Sequence, residues 1–244
     1  MSSLQRADFL ALLADDQSLS GLDFSGADLS CLSLPRVGLR DVCLVGADLR
    51  GVDLSDADLC GADLSRANLR MARLSRARLV GARATDADFF LATLDGIDGR
   101  LMDLTGAILR ETVLSDARMW GAMMRGVDLQ LAIMDGIDLR GVCLLDAVMT
   151  EVQLFDADLR HADLGRADLS GADLRRSELQ QAHLDGARLC SANLIGASLE
   201  GASLQRTDVR GARVSEPTLR GGDGQQIHFA TAPYRGLGLG AAIA

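Results

Sequence analysis

A large apolar residue returns at every fifth position from residue 19 to residue 219 without a slip of frame. Neither an α-helix nor a β-strand has a period of five. Of the 41 slots, 31 are leucine, and Phe24, Phe89, Met119, Met124, Met134, Met149, Val209 and Val214 fill eight more. Ala84 and Gly99 alone fall short. Two positions before each large residue stands a small one, alanine in 25 of 40 repeats. Two positions after it stand 18 of the 26 glycines. The other slots are mainly Asp, Arg and Ser.

Residues two apart on an extended chain point the same way, and the residue between them points out. Alanine and leucine therefore face inward, with a polar residue outward between them. The pattern restarts after five, so the chain turns a corner before the next alanine. Glycine at that corner tolerates positive φ. Many corners carry Arg, Asp or Ser instead, which predicts that not every corner has positive φ. An α-helix fails the pattern, because five residues advance about 500° and the leucines would wander round it. Short extended pieces joined by corners make a coil around an apolar axis, with successive coils pairing backbone to backbone about 4.8 Å apart.

The units ADLSG, ADLRR, ANLIG and ADLCG resemble the pentapeptide-repeat proteins, A(D/N)LXX, and the resemblance runs over residues 19 to 220. It implies an all-β fold, a right-handed parallel β-helix of square cross-section with four pentapeptides per coil. About ten coils then make a rod roughly 48 Å long. Stability in such a solenoid is a sum over neighbouring coils, and unprotected ends are its weakness.

The ends divide the chain into residues 1–16, a capping helix, 17–220, the coil, and 221–244, a glycine-rich tail that serves as a cap or dimer contact. Residues 2–14 read as a short amphipathic helix with Ser2 and Gln5 at capping-box spacing. Leu4, Ala7, Leu10, Ala11 and Ala14 form its apolar face, laid over the first coil. Pro35 sits in an outward corner slot, and Pro217 in an inward slot near the end of the repeats. Gly99 removes a core side chain near Ala84, where a local bend or void is one reading and drift tolerated by a long solenoid is the favoured one.

Composition narrows the function. A net charge of −9 argues against a general nucleic-acid or anionic-membrane binder. Five cysteines without CxxC spacing indicate neither a disulfide framework nor a zinc site. There is no signal-peptide pattern and no run of 18 apolar residues, so the expectation is a cytoplasmic protein with no membrane partner. No GxxxxGK[ST], HExxH or GxSxG motif occurs, and neither enzyme activity nor a cofactor is expected. His183 falls twenty residues after Asp163 and is expected to stack over it as a surface pair.

Two sets of outward residues are candidates for contact with a partner. The twenty-residue coil period aligns Asp28, Asp48, Asp88, Asp128, Asp168 and Asp208 in one acidic column. Asp58, Asp98, Asp138, Asp158 and Glu178 align in another. Between residues 90 and 155 several outward slots are apolar: Phe90, Leu101, Leu145 and Val148, and, as the candidate contact, Ile108, Val113, Trp120, Met123, Ile133 and Phe155. Val113 and Ile133 are expected to be vertical neighbours. The primary expectation is a non-catalytic rod that binds a protein partner. The family resemblance supplies the alternative, an acidic rod that mimics DNA, occupies DNA gyrase and lessens quinolone or peptide-antibiotic toxicity. Some family members dimerise through their C-terminal ends, so the alternative carries a homodimer contact there. Against it, many such members prefer phenylalanine centres, and here two of the 41 are Phe.

Overall fold

The computed structural model describes residues 4–215. An α-helix, α1 (Arg6–Ala14), precedes a continuous coil in which only β1 (Asn193–Leu194) and β2 (Arg213–Val214) are strands. Elsewhere the coils meet in single-residue parallel bridges, from Asp23↔Cys43 to Arg188↔Asp208, each joining residues twenty apart. β1 and β2 pair in parallel with that same offset, Asn193↔Arg213. Four five-residue repeats thus complete one turn. The β character lies in the pairing rather than in long strands, because a corner every five residues leaves one bridging residue per side.

Repeat 162–166 shows what each slot does. The Asp163 amide donates down to Val142 O at 2.9 Å, and the amides of Leu164 and Arg166 donate up to His183 O and Asp185 O at 2.7 and 3.0 Å. The Ala162 amide closes a turn on Leu159 O at 3.0 Å. One amide is left, that of Gly165, and the Asp163 carboxylate accepts it at 3.1 Å. The aspartate of the repeat is therefore the acceptor for the one amide that the ladder cannot satisfy, a local side-chain turn of the Asx kind. Asn68 and Asn193 do the same for Arg70 and Ile195. At Phe155, whose repeat has Gln153 in that slot, Asp135 of the preceding coil accepts the amide at 3.0 Å.

The corners overturn one expectation. Among the described residues every corner from Gly21 to Gly211 has positive φ, the 22 non-glycine ones included, and Asp16, just past the C-cap of α1, shares that sign as the end of the helix. Each corner is the third residue of a four-residue turn of the type II form, which requires that sign. The ladder on either side sets the backbone, and the corner residue must follow. What glycine does instead is make room. At Gly61, Gly106, Gly136 and Gly171 the space for a Cβ is taken by Asp41, Asp86, Asp116 and Glu151, the corners one coil earlier. Where the preceding corner is itself glycine, as below Gly81, Gly126 and Gly141, nothing approaches. Corner side chains lean along the axis over the next coil.

The interior is as predicted: Leu164 and Leu169, with the alanines between, are fully buried. Thr112 and Ser177 replace alanine there, and their hydroxyls donate to Leu109 O and Leu174 O at 2.6 and 2.7 Å, so neither is an orphan. The void that one reading places at Gly99 is absent, because the Met119 sulfur, one coil on, occupies the place of the missing side chain. The bridges Arg78↔Asp98 and Asp98↔Arg118 run through without a break in register. A flexible thioether suits such a gap.

At the N-terminal end the Leu4 amide joins the ladder, donating to Asp23 O at 2.8 Å. The α1 face differs from the expected one. Ala7, Leu10, Ala11 and Ala14 are exposed. Phe9 is the buried anchor, edge-on to Phe24 with ring centroids 5.0 Å apart, and Leu4 and Leu12 pack beside it. The end of the tube offers one aromatic ring, so the helix turns its own aromatic toward it. The N-cap is Gln5, whose amide donates to Asp8 Oδ2 at 2.8 Å. The Ser2 side of the expected capping box lies outside the described residues. Arg6 Nη1 donates to Asp28 O and Ser30 O at 3.3 and 3.0 Å, covering carbonyls that another coil's amides would otherwise meet. Pro217, the tail 221–244 and the dimer contact expected of it lie outside the described residues.

Candidate interaction surface

The bridge register places both acidic columns as the twenty-residue period predicts. Asp28, Asp48, Asp88, Asp128, Asp168 and Asp208 share one side of the tube, with Asn68, Ile108, Val148 and Arg188 between them. Asp58, Asp98, Asp138, Asp158 and Glu178 share another, with Arg78 and Arg118 among them. None is a bare charge. Arg50 meets Asp48 at 2.5 Å, Arg70 meets Asp88 at 3.0 Å, Arg188 meets Asp168 at 3.5 Å, and Arg210 meets Asp208 at 2.6 Å. Arg6 and Arg110 approach Asp28 and Asp128 at 3.8 Å.

In the second column Arg40 and Arg78 flank Asp58 at 3.2 and 3.0 Å, and Arg100 and Arg118 flank Asp98 at 2.6 and 3.2 Å. Arg140 bridges Asp138 and Asp158 at 2.7 and 3.5 Å, and Arg160 bridges Asp158 and Glu178 at 2.6 and 3.1 Å. Hydrogen bonds from Arg50, Arg140, Arg175 and Arg210 hold the carboxyls of Asp48, Asp138, Asp173 and Asp208 below the usual range. The sequence contains no lysine, so all these pairs use the planar fork of arginine. Nine of the eleven column residues, all but Asp98 and Glu178, also accept the backbone amide two residues on. Their first task is holding the coil together.

His183 stacks on Asp163 through the ladder, as predicted. No ion pair joins the two among the described residues.

The six apolar candidates do not form one patch. Val113 and Ile133 are bridged neighbours on one side, as expected. Phe155 shares that side but lies under the guanidinium groups of Arg175 and Arg176, 5.5 and 5.1 Å from its ring. Trp120 is on the side of the second acidic column, 5.9 Å from Arg100, and Met123 lies round the next corner from it. Ile108 belongs to the first acidic column.

The corners contribute what the outward slots did not reveal. One edge carries Met71, Leu91, Glu111, Leu131 and Glu151 in successive coils, five left-handed corners in a row without glycine. Met71, Leu91 and Leu131 are exposed by 58%, 44% and 40%, and Ile108 and Val148 stand exposed on the adjoining side. Among the described residues no other edge has more than three such corners in succession, and those three, Arg36, Asp56 and Arg76, are all charged. A leucine held at φ of about +60° costs on the order of 1 kcal/mol, and its exposure recovers none of it. Glu111 and Glu151 form no ion pair among the described residues, unlike the column carboxylates. The legible signal was a large apolar residue in a slot that the repeat fills with Gly or a polar residue.

These features define a β-solenoid with two sides lined by arginine–aspartate pairs and one edge that, over five coils without glycine, carries Met71, Leu91 and Leu131 with Glu111 and Glu151. The chain belongs to the pentapeptide repeat family: the model of pentapeptide repeats matches residues 18–56, 43–81, 53–90, 100–130, 132–171, 153–189 and 182–221. The fold is the right-handed β-helix of that family, whose members are generally non-catalytic structural proteins. Among solved structures the chain is similar to HetL, a pentapeptide repeat protein involved in heterocyst differentiation regulation in the cyanobacterium Nostoc sp. strain PCC 7120. The identity is 30%, over 91% of this chain and 99% of that one, with a TM-score of 0.35. It is similar to QnrB1, a plasmid-mediated fluoroquinolone resistance protein, with 17% identity over 79% of this chain and 89% of that one, TM-score 0.50. A pentapeptide repeat protein of the Arabidopsis thaliana thylakoid lumen shares 26% identity over 45% of this chain and 66% of that one, TM-score 0.24. No curated protein matches the sequence. Among the described residues no helix is long and apolar enough to cross a membrane.

Proposed function

We propose that the protein is a non-catalytic rod of about ten coils, cytoplasmic, that binds a protein partner along its glycine-free edge. The observation that carries this is the run Met71, Leu91, Leu131: exposed apolar side chains at strained corners, which neither the core nor the ladder uses. Exposed apolar surface with no internal role marks contact sites. Leu91 and Leu131 replaced together by asparagine, which tolerates left-handed φ, removes the surface while keeping the backbone. Capture of partner protein from cells of the source organism is expected with the wild-type chain and lost with this variant. Undiminished capture overturns the proposal.

The second reading is the acidic rod bound to DNA gyrase and dimerised through its C-terminal end. The net charge of −9 and the fold likeness to QnrB1 support it. The arginine pairing of Asp48, Asp98, Asp138 and Asp158 weighs against it, because a phosphate-like row needs unpaired charge. A gyrase supercoiling assay with and without a quinolone separates the two: protection supports the acidic rod, and no effect at micromolar protein removes it.

A further inference from the structure

The geometry points to one occupant for the glycine-free edge: a basic amphipathic α-helix of another protein, lying along the rod axis. This rests on the proposed protein-binding role and names the chemistry of the partner. The edge reads apolar, apolar, acid, apolar, acid (Met71, Leu91, Glu111, Leu131, Glu151), one residue per coil. At about 4.8 Å per coil the last four stand at roughly 0, 4.8, 9.6 and 14.4 Å. An α-helix rises about 1.5 Å per residue, so positions i, i+3, i+7 and i+10 stand at roughly 0, 4.5, 10.5 and 15 Å on one face. A helix with apolar residues at i−3, i and i+7 and Lys or Arg at i+3 and i+10 therefore matches the edge residue for residue.

Charge selects the partner. Glu111 and Glu151 have no ion-pair partner among the described residues, whereas the column carboxylates have arginines. A second copy of this chain fits badly. Two edges laid antiparallel put Glu111 on Glu111. The exposed apolar pair at the N-terminal end, Leu10 and Leu13 of α1, is flanked by Asp8, Asp15 and Asp16 and would bring acid to acid. Flanking Arg70 lies over Phe90, 4.5 Å from the ring, and is not directed at the two glutamates.

The test uses the full chain and a labelled synthetic helical peptide with Leu at i−3, i and i+7 and Lys at i+3 and i+10. Its control carries Glu in place of each Lys. Fluorescence anisotropy is expected to show saturable binding of the basic peptide, at least about tenfold tighter than the control. Leu91→Asn with Leu131→Asn should weaken it by about tenfold or more. Glu111→Gln with Glu151→Gln should weaken it and flatten its salt dependence. Leu101→Asn, on the diagonally opposite edge, should leave it unchanged. Because the chain has no lysine, its α-amine is the one amine that competes with the peptide's under carbodiimide coupling, and mass spectrometry should place the links to peptide lysines at Glu111 and Glu151. Equal binding of both peptides, links elsewhere, or indifference to the leucine pair overturns the proposal. Partner capture that depends on Leu91 and Leu131, without binding of the basic peptide, sinks the helix occupant and leaves the protein-binding role standing. Loss of both sinks both.

Discussion

Two diagonally opposite edges of the tube solve the same backbone problem with different residues. The edge through Gly61, Gly81, Gly121 and Gly141 is mostly glycine, and the edge through Met71, Leu91, Glu111, Leu131 and Glu151 has none over five coils. Their corner φ values are all left-handed, +56° to +61° over the five corners of the second edge and +55° to +72° along the first. Glycine is thus not what sets the left-handed corner. The five-residue frame and the ladders set it; at Gly61 the glycine also leaves room for the Asp41 side chain of the coil before, whereas at Gly81 and Gly141 nothing needs the space. On the other edge the protein accepts strain to keep long side chains in a row.

That comparison can be broken at its stronger end first. Gly61→Leu puts a ridge-like residue where the Asp41 carboxylate already lies. It should destabilise the chain by about 2–3 kcal/mol, from positive φ and crowding together. A urea midpoint indistinguishable from wild type would show that the two edges are interchangeable. The reverse exchange, Leu91→Gly with Leu131→Gly, relieves two strained corners and should raise stability by roughly 1–2 kcal/mol in total, read as a shift of the same midpoint, while abolishing peptide binding. Gly81→Ala isolates strain, since φ is +66° and nothing lies within 4 Å of the added carbon. It should cost about 1 kcal/mol, and a larger loss would mean that space as well as φ is limiting there.

The smallest effect concerns the paired sides rather than the edges. The Asp48, Asp138 and Asp173 carboxyls are held below their ordinary values by Arg50, Arg140 and Arg175. A carboxyl whose folded pKa is depressed gives stability that is present above its unfolded value, near 4, and lost as pH falls through the folded one. Unfolding midpoints should therefore hold from neutral pH to about 5 and decline below about 4. Asp138→Asn keeps an acceptor for the Arg140 amide but loses the charge pair, so it should be slightly less stable than wild type at neutral pH, converge with it in acid and flatten that acid-side slope a little. An unchanged slope in the variant would assign the decline to other carboxyls.

Much of this was legible in the residues. The unbroken frame fixed Leu164 and Leu169 as interior, and the twenty-residue period that the family resemblance implies brought Val113 under Ile133 and ordered both acidic columns. Three things were not legible, each for a physical reason. Positive φ at corners such as Arg66 or Leu101 contradicts local preference, and only the ladders of neighbouring coils explain it. The aspartate's backbone role depends on knowing which amide the ladder leaves over, which needs the register. The α1 face was misread because helical periodicity favours Leu10 and Ala14, whereas the tube's end presents Phe24 and is met by Phe9. Leu101 reads as an outward apolar residue, but Met71, Leu91 and Leu131 form a row only when the corner slots, like the side slots, are sorted by coil.

The aspartate that accepts its neighbour's amide needs only an oxygen there, not a charge, and Asn68 and Asn193 supply one without it. That backbone contact therefore does not depend on the charge, and only the arginine pairs feel its loss. A lineage could exchange Asp for Asn coil by coil, tuning the rod from strongly anionic toward neutral, with the tube underneath unaltered.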